Sequence, residues 1–271
     1  MSCQNVRIRE LGGWDLDAYE YRPPSFDQCR HSHARQLISA RPPFEHASAF
    51  MEAETVLLRD SFAVQSARSD LQAEMSGLDW SLGIVDARLL LAFQRRLAIN
   101  PAIPQVPAPA ADDWSALTAL SFGPAKPVIY DLVRDGASVA LQSSNPNLHF
   151  RVSTDPSNPI AVHAGSPFFE VAEYRGRWFL RDGYHRAYAL LRSGVWKLPA
   201  VIVQARTLEE LGAIQPWFFP EGVLFSHHPP RVTDFLDDAL IFEYDRPSLI
   251  KTLRVTMEET FAPAIGSGEN S

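Results

Sequence analysis

The spacing of apolar residues in the first half of the chain predicts helices. Between residues 47 and 75 prolines and glycines are absent, and apolar side chains recur at near-helical spacing, namely Phe50, Leu57, Val64, Leu71 and Met75. Because this repeat places them on one face, we expect one long amphipathic helix, with room for a single break, that Gly77 ends. A second helix is predicted over residues 86–97, with an apolar face formed by Leu89, Leu90, Phe93 and Leu97.

Short β-like runs dominate the second half of the chain. Four prolines between residues 100 and 111 exclude a helix and a central strand, so this stretch is predicted to be an extended connector. After it, apolar and β-branched runs at 168–174 and 177–180 flank Arg175-Gly176, which is the spacing of a hairpin. A helix over residues 183–193, ended by Gly194, and a buried strand over residues 198–203 follow.

These patterns divide the chain into four predicted regions. They are an irregular N-terminal arm (1–46), a helical region with the proline-rich connector (47–125), an α/β core (126–215) and a C-terminal extension (216–271). The extension is expected to hold a strand at 239–244, a helix at 247–261 and a disordered tail at 266–271. The expected fold class is therefore α/β or α+β, with a mixed sheet preceded by a mainly helical N-terminal region.

Composition excludes several classes of protein. The 271 residues carry a net charge of −7, and no apolar run approaches the roughly 20 residues needed to cross a bilayer. The first residues lack the apolar core of a signal peptide, and two cysteines cannot build a disulfide framework, so we expect a cytoplasmic protein. The negative net charge argues against a protein that coats nucleic acid through bulk charge, and no membrane partner is expected.

The residues around position 182 concentrate positive charge in this acidic protein. Between residues 175 and 197 one acid, Asp182, stands among six basic residues, which are Arg175, Arg177, Arg181, Arg186, Arg192 and Lys197. Unpaired backbone N–H groups at a helix start bind anions, and an arginine adds planar donors for phosphate. We therefore predict a phosphate or nucleotide site formed by Arg181, Gly183, Tyr184, His185 and Arg186. No metal ligands are predicted.

Three carboxylates beside this turn are candidates for catalysis. Glu170 and Glu173 could draw a proton from a substrate hydroxyl, or they could belong to a solvated strand face. Asp182 either caps the helix or points away from it to orient His185 or a metal ion. His185 and Arg186 also have a structural alternative to phosphate binding, in which they bond local carbonyls and the two glutamates.

Residues 158–204 resemble the core of the ParB/sulfiredoxin superfamily. The resemblance lies in the order of the predicted elements, which is strand, hairpin, Asp-Gly-Tyr-His-Arg, helix, glycine, Leu-Pro and strand. This resemblance implies a ParB/sulfiredoxin-like core that binds a nucleotide or phosphate at Gly183, His185 and Arg186. Tyr184 stands where sulfiredoxin needs a cysteine, which excludes sulfinic acid reduction. The most similar pattern, Asp-Gly-His-His-Arg, belongs to the free-serine kinases of the superfamily, and Tyr184 replaces its first histidine.

Different classes of function follow from these observations. The first is a nucleotide- or phosphate-binding protein that, if it is an enzyme, is a phosphotransferase or phosphohydrolase of a small molecule, with ATP/ADP or CTP and Mg²⁺ as cofactors. The second is a non-catalytic interaction scaffold that forms a homodimer through the helices of residues 47–75. A DNA-binding or nuclease activity, known for other members of the superfamily, is a further alternative that the acidic charge disfavours.

Overall fold

The computed structural model describes residues 5–23, 28–100, 107–152, 160–256 and 258–261. The chain contains helices together with several sheets, which confirms the predicted α+β class. It forms two compact units, unit 1 from Met1–Ala125 and Ser166–Ser248, and unit 2 from Lys126–Gly165 and Leu249–Ser271. Each unit combines segments that are distant in sequence, unlike the four consecutive regions predicted from the sequence.

The regular elements follow one another along the chain. The strands are β1 (Asn5–Leu11), β2 (Trp80–Asp86), β3 (Leu91–Ala92), β4 (Arg96–Ile99), β5 (Asp131–Asp135), β6 (Ser138–Ser143), β7 (His149–Val152), β8 (Ile160–His163), β9 (Glu170–Tyr174), β10 (Arg177–Asp182), β11 (Lys197–Gln204), β12 (Ile241–Pro247) and β13 (Lys251–Thr256). The helices are α1 (Gln28–Ser39), α2 (Glu52–Leu57), α3 (Arg59–Ser66), α4 (Ser69–Glu74), α5 (Trp114–Ser121), α6 (Tyr184–Arg192), α7 (Leu208–Leu211) and α8 (Glu221–Leu224). Short 3₁₀ turns lie at Ala87–Leu89 and Val232–Leu236.

A mixed five-stranded sheet with the order β2-β11-β9-β10-β3 forms the centre of unit 1. β11 runs parallel to β9 and antiparallel to β2, and its residues 198–203 are buried, as its continuous apolar run predicts. The hairpin, helix and strand predicted over residues 168–204 are confirmed as β9, β10, α6 and β11. Helix α5 packs on β11, and α6 packs against the 3₁₀ turn Val232–Leu236.

A second sheet of unit 1, with the order β12-β1-β4, has β1 at its centre. Its buried Glu10 is paired with Arg22 at 2.6 Å and Arg96 at 2.8 Å, and it accepts a hydrogen bond from the Tyr244 hydroxyl at 2.7 Å. A buried carboxylate is tolerated when it is paired in this way. Because residues 1–46 contribute β1 and α1, the prediction of an irregular arm is wrong where the structure describes it.

Unit 2 contains the antiparallel sheet β13-β6-β5 and the hairpin β7–β8. Strand β13 replaces the helix predicted over residues 247–261, because Lys251–Thr256 pairs with β6 and exposes every second residue. The proposed disordered tail at 266–271 and part of the proline-rich connector, residues 101–106, lie outside the described residues. In the part of the chain that the structure describes, no helix is long and apolar enough to cross a bilayer.

The helical predictions for residues 47–97 are largely wrong. The long helix is instead three short ones, α2, α3 and α4, and two members of its predicted apolar face, Leu57 and Val64, are 73% and 67% exposed. Residues 86–97 form a 3₁₀ turn and the strands β3 and β4, which pair with β10 and β1. Pairing with strands distant in sequence therefore overrides the local helical pattern.

Candidate functional site

The predicted phosphate turn lies where β10 ends and α6 begins. Asp182 is the last residue of β10, and Gly183 occupies the N-cap position of α6 with a φ of +101°. This φ favours glycine, and a Cβ at residue 183 would come within 2.7 Å of the Phe169 ring. The helix therefore starts at Gly183 without a side-chain cap, so the capping role, one of the two predicted for Asp182, is not found.

The side chain of Arg186 links the start of α6 to two other segments of unit 1 through backbone carbonyls. Its guanidinium donates hydrogen bonds to the carbonyls of Leu120 (3.0 Å), Pro167 (2.6 Å) and Phe168. A guanidinium has five N–H donors, so two remain without a hydrogen-bond partner among the described residues. The Nη2 atom lies 3.7 Å from an oxygen of Asp182, and burial lowers the pKa of Arg186. Arg186 thus has a structural role, whatever else it contacts.

Glu170 and Asp182 occupy paired positions of β9 and β10, next to a bulge between Leu180 and Asp182. Glu170 is buried, with 2% of its surface exposed, and its Oε2 accepts a hydrogen bond from the guanidinium of Arg181. Its Oε1 is buried and has no hydrogen bond of ordinary geometry among the described residues, although the Ser166 hydroxyl lies close enough to lower the pKa of Glu170. Arg181 also donates to the carbonyl of Glu210 at 3.1 Å, which fixes its position. The carboxylates of Glu170 and Asp182 and the guanidiniums of Arg181 and Arg186 therefore lie together where α6 begins.

Burial raises the pKa of Glu170 from 4.5 to about 7. The positive charge of Arg181 and the hydroxyl of Ser166 oppose this shift, while the charges of Asp182 and Glu74 add to it. A carboxyl group that titrates near neutral pH can both accept and donate a proton, as a general base or acid must. Glu170 is therefore the residue of this cluster best suited to proton transfer.

Two other predicted site residues lie apart from this carboxylate pair. Glu173 accepts a hydrogen bond at 3.0 Å from a backbone N–H of the β9–β10 turn, at the opposite end of the hairpin. His185 is exposed, and its Nε2 donates to the carbonyl of Ala98 at 3.0 Å. The structure therefore brings Glu170, Arg181, Asp182 and Arg186 together and leaves Glu173 out of the cluster.

Tyr184 belongs to the core and not to the surface of the turn. It is 3% exposed, and its hydroxyl accepts a hydrogen bond at 3.0 Å from the backbone N–H of Phe93. Burial raises the pKa of this hydroxyl above its ordinary value, so it stays protonated. The predicted contact of Tyr184 with a phosphate would require this hydroxyl to leave its backbone partner.

Sequence reasoning missed the groups that support the cluster. Ser166 precedes β9, is buried, and accepts a hydrogen bond from the backbone N–H of Phe168 at 3.1 Å. The carbonyl of Leu120, in the last turn of α5, binds Arg186. A backbone carbonyl and a single serine carry no motif, so no sequence signal could have identified either of them.

This chain matches no known protein family, characterised protein or solved structure. The interpretation of the cluster therefore depends on its own geometry. Two cavities of about 360 and 310 Å³ occur in unit 1, and neither is lined by residues of the Gly183–Arg186 turn.

Metal binding at this cluster would involve few protein ligands. Among the described residues, no group of three or more His, Cys, Asp or Glu side chains is arranged to hold a metal ion. Asp182 has 35% of its side chain exposed, whereas Glu170 is buried against Arg181. Mg²⁺ keeps most of its water and phosphate ligands and needs only one or two carboxylates, so this donor set fits a nucleotide-bound Mg²⁺.

Proposed function

We propose that this chain binds a nucleotide or another phosphorylated small molecule at the start of α6 and transfers or hydrolyses its phosphoryl group. Glu170 is the residue that moves the proton. The observation that carries the proposal is a buried carboxylate oxygen without a hydrogen bond of ordinary geometry among the described residues, in a side chain paired with Asp182 at a helix start. Such groups are costly to bury, and titratable residues whose pKa is strongly shifted by burial cluster at functional sites.

The proton step follows from the arrangement around Glu170. Arg181 binds Oε2, and the buried Oε1 is the oxygen that we propose takes up the proton of an acceptor hydroxyl or water, which requires the site to open when a ligand binds. As that oxygen attacks the phosphorus, its proton passes to Glu170, and the bond from phosphorus to the leaving group breaks with the electron pair staying on the leaving group. Phosphoryl transfer needs mainly positioning and charge neutralisation, so few further groups are required.

The phosphate is held by the backbone at the start of α6. The first N–H groups of a helix and the positive end of its dipole attract anions, and α6 has no side-chain cap that competes for them. The two remaining N–H donors of Arg186 add to this site. Mg²⁺ bound to the phosphates, with Asp182 as its protein ligand, would neutralise their charge beside the two carboxylates.

The sequence Asp-Gly-Tyr-His-Arg at residues 182–186 supports this proposal through its resemblance to the ParB/sulfiredoxin superfamily. Its similarity to the kinase pattern favours ATP or ADP as the nucleotide and a small molecule with a hydroxyl group as the acceptor, with CTP as the other nucleotide to test. A cytoplasmic location is part of the same proposal, because ATP and Mg²⁺ are abundant there.

Thermal unfolding with nucleotides tests this function. ATP, ADP, CTP and GTP are added with and without Mg²⁺ to the wild-type protein, to Glu170→Gln and to the matched control Glu173→Gln. We expect at least one nucleotide to raise the melting temperature of all three proteins. Phosphate release or transfer should fall by about 10²- to 10⁴-fold in Glu170→Gln and stay unchanged in Glu173→Gln.

Two outcomes contradict the proposal. If no nucleotide shifts the melting temperature of the wild-type protein, the start of α6 is not a nucleotide site. If Glu170→Gln retains full turnover, the proton passes through another group. Arg186→Ala is a poor test, because losing its bonds to three carbonyls destabilises the fold with or without a ligand.

A non-catalytic scaffold is the second candidate function, and exposed apolar side chains on α2 and α3 favour it. Val56, Leu57 and Val64 are 53%, 73% and 67% exposed. As a scaffold, the protein would form the homodimer predicted through residues 47–75, in which a second copy covers these side chains. Light scattering should then show a dimer that Leu57→Asp dissociates and Leu132→Asp, at an exposed position of unit 2, leaves intact. A monomeric wild-type protein contradicts it.

A further inference from the structure

A cavity in unit 1, separate from the α6 turn, carries charged groups of both signs. Its volume is about 360 Å³, and it is lined by Arg41, Pro42, Arg231, Thr233, Asp234 and Asp237. Ligand pockets start at roughly 300 Å³, so the cavity suits a small molecule. Four of its residues come from the 3₁₀ turn Val232–Leu236 and the positions next to it, and two follow α1.

A buried ion pair forms one wall of this cavity. Asp234 is 3% exposed, and its carboxylate lies 2.8 Å from the guanidinium of Arg41. The second oxygen of Asp234 accepts a hydrogen bond from the backbone N–H of Arg231 at 2.8 Å. Arg41 and Asp234 therefore neutralise each other, and neither charge needs a ligand.

The other polar side chains that line the cavity have donors or acceptors that are available to a ligand. The guanidinium of Arg231 and the hydroxyl of Thr233 have no hydrogen bond or ion pair at contact distance within the part of the chain that the structure describes, although the charge of Arg231 also acts on Asp234. One oxygen of Asp237 accepts a hydrogen bond from the N–H of Ala239 at 3.0 Å, and its carboxylate has no cationic partner among the described residues. One cation, one hydroxyl and one anion thus line the same space.

We propose that this cavity binds a small zwitterion, that is, a molecule with a carboxylate and an ammonium group such as a free α-amino acid. Arg231 and Thr233 bind the carboxylate, for which a guanidinium offers paired donors. Asp237 binds the ammonium group. A phosphate dianion fits this lining poorly, because the guanidiniums of Arg41 and Arg231 are balanced by the carboxylates of Asp234 and Asp237, which leaves no net positive charge.

Calorimetric titration of the full chain tests this site. The common amino acids are titrated one at a time, and acetate, methylammonium and inorganic phosphate serve as probes with a single charged group. We expect at least one amino acid to bind at least about tenfold more tightly than each of the three probes, because only a zwitterion satisfies both ends of the site.

Substitutions locate the binding. Arg231→Gln and Asp237→Asn should each weaken the bound amino acid by at least about tenfold, and Arg231→Lys, which keeps the charge, should weaken it less. Two control variants at exposed positions, Arg206→Gln and Asp60→Asn, should bind like the wild-type protein. Circular dichroism confirms that each variant is folded before titration.

Three results would overturn this assignment. They are the failure of every amino acid to bind at millimolar concentration, tighter binding of phosphate than of any amino acid, and unchanged affinity in folded Arg231→Gln or Asp237→Asn. Nucleotide-dependent stabilisation at the start of α6 does not involve these residues, so it should survive Arg231→Gln. The two sites can therefore fail independently.

Discussion

Glu170 lies directly opposite Asp182 where the β9–β10 hairpin ends and α6 begins. The buried carboxylate of Glu170 is paired with the guanidinium of Arg181, whereas the carboxylate of Asp182, which is 35% exposed, lies 3.7 Å from the guanidinium of Arg186. Burial makes it harder for Glu170 to carry its charge, and the charge of Asp182 adds to this effect, so both raise the pKa of Glu170.

The raised pKa of Glu170 makes the stability of the protein depend on pH. The folded protein holds this proton more tightly than the unfolded chain, so the stabilisation is complete below pH 4.5 and is lost as the pH rises through about 7. Gln cannot ionise, so Glu170→Gln should gain about 3 kcal/mol relative to the wild-type protein between pH 4 and pH 8. Urea unfolding at both pH values measures this difference, and a constant difference would show that the pKa is ordinary.

Removing the charge of Asp182 should lower the pKa of Glu170. Asp182→Asn keeps the size of the side chain and removes a like charge that raises this pKa. NMR titration of the Glu170 carboxyl carbon, identified by its absence in Glu170→Gln, should show a midpoint below that of the wild-type protein. Asp60→Asn, at an exposed position of α3, is the control and should leave the midpoint in place. An unchanged midpoint in Asp182→Asn would show that the charge of Asp182 does not raise the pKa of Glu170.

Arg186 should contribute to stability without any ligand. Arg186→Met removes a guanidinium that satisfies the carbonyls of Leu120, Pro167 and Phe168, and each buried acceptor left unpaired costs about 1–3 kcal/mol. We expect a total loss of about 3 kcal/mol or more. Arg192→Met, on the exposed end of α6, should stay within about 0.5 kcal/mol of the wild-type protein. Equal stabilities of the two variants in chemical unfolding would refute the structural role of Arg186.

Three glycine substitutions separate backbone strain from steric contact at the turn. Gly183→Ala combines a φ of +101° with a Cβ 2.7 Å from Phe169, and we expect a loss of about 2–3 kcal/mol. Gly194→Ala has a φ of +77° and open space, so it should lose only about 1 kcal/mol. Gly222→Ala, in α8, meets neither problem and should be neutral or stabilising. Any other order of the three unfolding midpoints contradicts this explanation.

The sequence predicted best where local signals and tertiary packing agree. Over residues 168–204 the hairpin spacing, Gly194 and the apolar run of β11 all favour the elements that the structure contains. The pattern at residues 86–97 is helical by spacing alone, yet Leu91–Ala92 pairs with β10 and Arg96–Ile99 pairs with β1. Such pairing joins residues far apart in the chain, and periodicity within a short window does not contain it.

The candidate site shows the same division. The sequence alone identified the Asp182–Arg186 turn, Gly183 as one of its candidate binding positions and the candidacy of Glu170, since residue types and short spacings carry that information. Only the tertiary structure decided that Arg186 binds three carbonyls, that Tyr184 faces the core and that Glu173 lies at the far end of the hairpin. It also decided that Glu170 titrates near neutral pH, because burial and the charges of neighbouring strands determine a pKa and a linear sequence specifies neither.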